Sequence, residues 1–270
     1  MSIFQSFILG MVQGLGEFLP ISSTSHLILV PWIFKWKDPG LGFDLALHWG
    51  TLLSVLIYFR NDILLLAKGF WHTLFKSTRN FSGNIYQKLS WYIIIASIPG
   101  AIIGKLLEQK VETVFRTPWL IAINLAVFGA VVLVIDQLGK KQKNLDNLTW
   151  KNSLTIGFSQ ALAIIPGISR SGSTMSAGLI LGFKRADAAR FSFLMSIPII
   201  FGAGLLKVKE FHTGVSTAEL VVGFVSSAVF GFLSIKYLLQ YLARHDFKIF
   251  VWYRFFVAIL VFAIYFLRVN

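Results

Sequence analysis

The sequence predicts an all-α integral membrane protein. It reads as an inverted-topology repeat with six transmembrane helices and two re-entrant helical hairpins. Three observations carry this. The 270 residues are 56% hydrophobic and only 14% charged, whereas soluble domains carry about a quarter charged residues. Two apolar segments are interrupted by polar clusters at matching positions in the two halves. The basic residues gather in short loops between apolar runs. With no cysteine, disulfides, thiol catalysis and Cys-ligated metals are excluded. The net charge of +13 would suggest nucleic acid in a soluble chain. Lying in loops between spans, it points instead to cytoplasmic anchoring and anionic membrane lipid, with no nucleic-acid partner.

The first interruption is QGLGEFLPISSTSHL, Gln13 to Leu27. A carboxylate at membrane depth costs about 2.5–3.5 kcal/mol on insertion scales, so such a group faces a cavity and serves a function. Pro20 breaks helical hydrogen bonding and biases Leu19 to extended backbone. Non-helical backbone at that depth is tolerated only when buried in protein or lining water. The stretch therefore reads as a re-entrant half-helix ending in a polar loop. Leu27 to Phe34, too short to span, is its returning arm. The run Ile3 to Val12 has no basic segment before it and reads as membrane structure, not as a cleavable signal.

Further along, Leu41 to Phe59 is long enough to span. It carries Asp44 and His48 on one helix face, either as a polar seam packed on a neighbouring helix or as groups flanking the site. Residues 60–88 hold five basic residues (Arg60, Lys68, Lys76, Arg79, Lys88) and one acid, Asp62. With Phe70, Trp71, Leu74 and Phe75 they suggest an interfacial amphipathic helix. Ser90 to Leu106 and Trp119 to Ile135 are the next spans, and Asp136 to Lys151 is a polar loop. His72, His212 and His245 follow no metal motif and read as surface residues.

The second interruption is GFSQALAIIPGISRSGST, Gly157 to Thr174. A single offset of 147 positions sets Gln160 on Gln13, Gly157 on Gly10 and Ser169 on Ser22. Paired interrupted segments point to a binding site at a repeat interface. The arms Ser153–Ile165 and Thr174–Phe183 flank the loop, and Ala188–Leu206, Leu220–Tyr237 and Ile249–Leu267 complete the spans. The chain is thus one membrane domain, 1–270, with halves of about 1–136 and 150–270. If loop 60–88 is cytoplasmic, then 136–151, 184–190 and 238–248 are also, while 35–40, 105–116, 207–219 and both termini lie outside.

The candidate chemistry sits in the two interruptions. The Arg170 guanidinium offers a fork of donors that matches phosphate. Ser169, Ser171, Ser173 and Thr174 add hydroxyls, Gly167 and Gly172 allow a backbone nest, and a helix start at Thr174 would favour the same anion. Glu17 reads as a cation ligand, a base or a counter-ion to Arg170. With Gln13 one turn earlier it fits the sparse protein ligation of Mg²⁺. His26 reads as a general acid–base or as a group that orients a hydroxyl. Ser23, three residues before it, makes a local Ser–His pair, although spacing alone does not choose among Ser22, Ser23, Thr24 and Ser25.

QGLGEFLPISSTSHL and PGISRSGST closely resemble the two signatures of the bacterial undecaprenyl-diphosphate phosphatase family, the bacitracin-resistance type. SIPGAIIG (Ser97 to Gly104) and ARFSFLMSIP (Ala189 to Pro198) extend the resemblance along the chain. It implies hydrolysis of a C55 polyprenyl diphosphate lipid to its monophosphate at the outer face of the plasma membrane, recycling the cell-wall lipid carrier. It also implies a divalent cation, Mg²⁺ or Ca²⁺, held by Glu17 and Gln13. On this resemblance Glu17, Ser23, His26 and Arg170 are catalytic. Ser22, Thr24, Ser169, Ser171, Gly172 and Thr174 bind substrate, and a homodimer is a candidate assembly. Two positions depart from the pattern: Gln13 stands at the first of the family's paired acids, and Ser25 where Gly is common. The rival reading is a lipid-phosphate transporter using the same anion site.

Overall fold

A computed structural model describes residues 1–75, 84–114, 116–207 and 214–269. Among these residues the chain is helical throughout, in eleven α-helices. They are α1 (Ile3–Phe18), α2 (Ser23–Phe34), α3 (Leu41–Tyr58), α4 (Arg60–Phe75), α5 (Ile85–Val114), α6 (Pro118–Leu138), α7 (Trp150–Leu162), α8 (Arg170–Ile180), α9 (Arg185–Leu206), α10 (Thr217–Leu242) and α11 (Lys248–Val269). Helices α3, α5, α6, α9, α10 and α11 each contain a stretch long and apolar enough to cross a membrane. The chain is a multi-pass membrane protein, and all six expected spans are helices. Lys76, Arg79 and His212 lie outside the described residues.

The two interruptions are each a pair of short helices joined by a non-helical link. In the first, α1 stops at Phe18, and Leu19 is extended at φ −67°, ψ 143°, as its position before Pro20 requires. In the second, α8 begins at Arg170, four residues before the start expected at Thr174. The reason is local: Ser169 caps the helix, its Oγ accepting from Gly172 N at 3.1 Å, so the hydroxyl-rich run is helical from its second residue.

Helix α1 lies against α10, and α7 lies against α5. Helix α10 also packs on α3, and serines donating to carbonyls make polar contacts between α10 and both α1 and α3. Ser226 reaches Phe7 O at 2.9 Å, Ser227 reaches Leu47 O at 2.7 Å and Ser54 reaches Ala228 O at 2.7 Å. Small hydroxylated residues of this kind let membrane helices approach closely. The described residues of 60–88 fall in α4 and at the start of α5, so Lys88 belongs to a spanning helix. Buried Asp136, at the end of α6, accepts from Arg185 Nε at 2.7 Å and from Phe247 N at 3.0 Å. This fixes the start of α9 and the α10–α11 link against α6. Asp62 on α4 pairs with Arg190 on α9.

Candidate active site

The site forms where the two non-helical links meet. Gly16 makes the first half of it possible. A Cβ there would lie 2.9 Å from Ser23 Cα, so only glycine lets the start of α2 fold back onto the end of α1. That fold brings Ser23 Oγ to 2.7 Å from Glu17 Oε2, to which it donates. Gln13, one turn earlier on α1, donates from Nε2 to the same oxygen at 3.0 Å. Arg170, at the first residue of α8, donates from Nη2 to the other oxygen, Oε1, at 2.6 Å. Its Nη1 rests on Ser192 O at 3.2 Å. Glu17 and Arg170, far apart in sequence, thus form a buried ion pair between the two halves.

The hydroxyls of the second half hold the loops in register. Ser171 donates to Leu19 O at 3.0 Å, crossing from one link to the other. Since Ser171 spends its proton there, Ser169 donates to Ser171 Oγ at 3.0 Å. Thr174 meets Ser192 Oγ at 2.6 Å. The backbone N–H groups of the first turn of α8 and its dipole lie beside Arg170, an arrangement suited to phosphate. Gly167 has φ +100°, a left-handed conformation, so the turn before α8 depends on glycine.

His26 is placed differently from the expected local Ser–His pair. Its Nδ1 lies 2.8 Å from Ser22 O, and its Nε2 lies 2.8 Å from Tyr253 Oη. A carbonyl only accepts, so Nδ1 carries a proton and, in the neutral ring, Nε2 accepts from the tyrosine. Ser23 is paired with Glu17 instead. The anchor for His26 is Ser22, a non-glycine residue at φ +74° whose carbonyl this strained turn directs at the imidazole. Ser22 Oγ lies 2.9 Å from Ser25 Oγ. Thr24 is exposed on the first turn of α2. His48 does flank the site: its Nε2 lies 3.6 Å from Glu17 Oε2. His72 and His245 lie elsewhere, the first beside Gln87 and the second on Tyr241 O.

Two residues that the sequence reading passed over sit at the centre. Arg254 reads in sequence as part of a basic region, but it is fully buried. It donates to Leu125 O at 3.0 Å, Pro20 O at 3.1 Å and Gly167 O at 2.5 Å. One guanidinium thus ties both non-helical links to α6. Its neighbour Tyr253 holds His26. The available signal was an arginine inside the apolar run Ile249 to Leu267, since a charge within a span is a functional or structural site by default.

The family model described as bacitracin resistance protein BacA matches residues 6–260. An undecaprenyl-diphosphatase from Moorella thermoacetica is 50% identical over 269 residues, covering 99% of this chain and all of the relative. Relatives of the same name from Pelotomaculum thermopropionicum and Caldicellulosiruptor bescii are 49% and 48% identical. The first covers 94% of this chain and 93% of its own length, and the second 99% of each. Matched over nearly its whole length, the chain belongs to the bacitracin resistance protein BacA family.

Proposed function

We propose that this protein is an undecaprenyl-diphosphate phosphatase, a membrane hydrolase that converts the C55 diphosphate lipid to its monophosphate and phosphate. The observation that carries the reading is the Glu17–Arg170 pair with Ser23 donating to Glu17, assembled from both halves of the chain. Phosphoryl transfer asks a protein mainly for positioning and charge stabilisation. Arg170, Ser169, Ser171 and the start of α8 bind the diphosphate oxygens, with Arg170 exchanging its bond to Glu17 for the substrate. Ser23 Oγ attacks the terminal phosphorus and passes its proton to Glu17 Oε2. The bond to the bridging oxygen breaks, and the polyprenyl monophosphate leaves. Water then cleaves the phosphoserine, releasing phosphate and restoring Ser23. His26, held by Ser22 and Tyr253, manages protons at the leaving group or at this water.

The residues present also fit a divalent cation. Gln13 Oε1 is buried and has no hydrogen-bond partner, which is a poor state for a carbonyl oxygen unless a ligand meets it. Beside the Glu17 carboxylate it gives the sparse oxygen donation that Mg²⁺ or Ca²⁺ accepts. When bound, the cation would neutralise charge on the diphosphate. Among the described residues no three His, Cys, Asp or Glu side chains come together as a metal cluster, so the protein's share of the ligation is small.

The architecture proposed with this function is an inverted repeat of re-entrant hairpins, α1–α2 and α7–α8, opening to the outer side of the membrane. The matched order of short and long helices and the reciprocal packing of α1 on α10 and α7 on α5 support it. The test is phosphate release from a long-chain polyprenyl diphosphate by purified protein in detergent, with Mg²⁺, with chelator, and with Arg170→Ala. Release that requires the metal and vanishes in the variant is expected. A wild-type protein that binds the lipid and releases no phosphate under any metal would overturn the reading in favour of a lipid-phosphate carrier.

A further inference from the structure

Two groups beside Glu17, His48 and Gln13, have coordinating atoms that the hydrogen bonds of the site leave unused. His48, on α3, lies 2.7 Å through Nδ1 from Asp44 O, a carbonyl of its own helix. That carbonyl only accepts, so Nδ1 carries the ring proton. In the neutral ring Nε2 then presents a lone pair toward Glu17 Oε2 at 3.6 Å, beyond hydrogen-bond range. Gln13, which donates to the same carboxylate oxygen through Nε2, leaves its Oε1 buried and unpartnered. Turning the amide over would only move the difficulty, because the carbonyl oxygen would then face Glu17 Oε2. With His48 neutral, an imidazole nitrogen and an amide oxygen beside this carboxylate each keep a lone pair that no hydrogen bond uses among the described residues.

We propose that His48 is the third protein donor of the cation site, with Glu17 and Gln13. This rests on the reading above that the site takes a divalent ion. Two donors on one ion with bonds of about 2.1 Å stand about 3.0 Å apart in octahedral and about 3.4 Å apart in tetrahedral geometry. The observed 3.6 Å needs only a few tenths of an ångström of closure. A metal-bound histidine ordinarily donates its other ring N–H to a backbone carbonyl or carboxylate, which fixes tautomer and ring orientation. Asp44 O supplies that bond. The His48 side chain is 27% exposed, so the donor set is open on one side. An imidazole in the set also changes the preferred ion. Carboxylate and carbonyl oxygens alone suit Mg²⁺ and Ca²⁺, whereas imidazole favours ions such as Mn²⁺, Co²⁺ and Zn²⁺. The site of this chain therefore binds Mn²⁺ more tightly than Ca²⁺.

The experiment is a Mn²⁺ titration of the full-length, chelator-stripped protein in detergent. Loss of the free-ion EPR signal reports binding, and pulsed EPR reports directly bonded nitrogen. Wild-type protein is expected to bind one Mn²⁺ with a nitrogen ligand. His48→Gln, shown monodisperse and with an unchanged melting temperature, is expected to lose the nitrogen signal and to bind about ten- to a hundredfold more weakly. Mn²⁺ bound without nitrogen in the wild type, or a nitrogen signal that survives in His48→Gln, would remove His48 from the site while leaving the cation reading in place. A wild type that binds no Mn²⁺ and still releases phosphate in chelator would overturn the cation reading itself, and this inference with it.

Discussion

The two interrupted segments begin from corresponding sequence positions and solve the same local problem in opposite ways. Ser22 and Ser169 coincide under the repeat offset, and each precedes a short helix. Ser169 is extended and caps α8 with its side chain. Ser22 is left-handed and makes no side-chain cap to α2. The second segment spends its serine on a regular helix start, which aims N–H groups and Arg170 at an anion. The first gives up that cap, and the carbonyl so turned holds His26. On the proposed function, one of these segments then binds charge and the other handles protons. The difference arises from backbone conformation at a single residue and from what stands beside it.

The comparison can be broken most severely at the ion pair that joins the halves. Glu17→Ala or Arg170→Ala is expected to lower kcat/KM by about 10³-fold or more, the scale set by losing a group that stabilises developing charge. Either change also leaves a buried charge unpaired, at about 3–5 kcal/mol. Replacing both by apolar residues should restore most of the melting temperature and none of the phosphate release. Recovery of activity in the double variant would show that the pair is a structural tie alone.

Ser23→Ala separates chemistry from folding. A fall of about 10²–10⁴-fold in kcat is expected, with stability within about 1 kcal/mol of wild type. Rapid-quench labelling should find phosphoserine in the wild type and none in the variant. A wild-type enzyme with no label at early times would move the attack from Ser23 to water.

Arg254→Met tests the clamp between the halves. Three carbonyls lose their donor, each costing about 1–3 kcal/mol when left unsatisfied. About 3 kcal/mol or more of destabilisation is therefore expected in thermal unfolding, with Arg254→Lys intermediate. Equal melting temperatures for wild type and Arg254→Met would show that the two links need no common anchor.

The smallest effects address the two serines themselves. Ser169→Ala removes a helix cap and should cost about 1 kcal/mol. Ser22→Gly relieves left-handed strain while losing the bond to Ser25, and should change stability by about 0.5 kcal/mol or less. Equal costs at the two positions would show that their opposite conformations carry no energetic difference.

Most of the layout was legible in the sequence. Six long apolar runs became six long helices, because hydrophobic length is a local property that the membrane thickness reads directly. Glu17 and Arg170 stood out for the same reason: a charge in an apolar segment needs a partner, and each was the other's best candidate. The break at Pro20 followed from the chemistry of one ring. The partner of Ser23 was not legible. His26 lies closer to it in sequence than Glu17 does, yet the close approach permitted by Gly16 and the strained turn at Ser22 aim the serine at the carboxylate and the histidine at Tyr253. Arg254 stood inside the apolar run Ile249 to Leu267, which marked it as a charge in need of partners, but nothing in its neighbours announced three carbonyls from three separate segments.

The sequence by itself determined which residues the protein places in the membrane, where its helices break and which charges must find one another, since these follow from hydration cost and backbone sterics along the chain. Only the tertiary structure decided which hydroxyl meets which carboxylate, which partner each histidine nitrogen takes, and how one buried arginine holds two distant links together. Those choices depend on distances of a few tenths of an ångström between segments remote in sequence, set by how closely the helices pack.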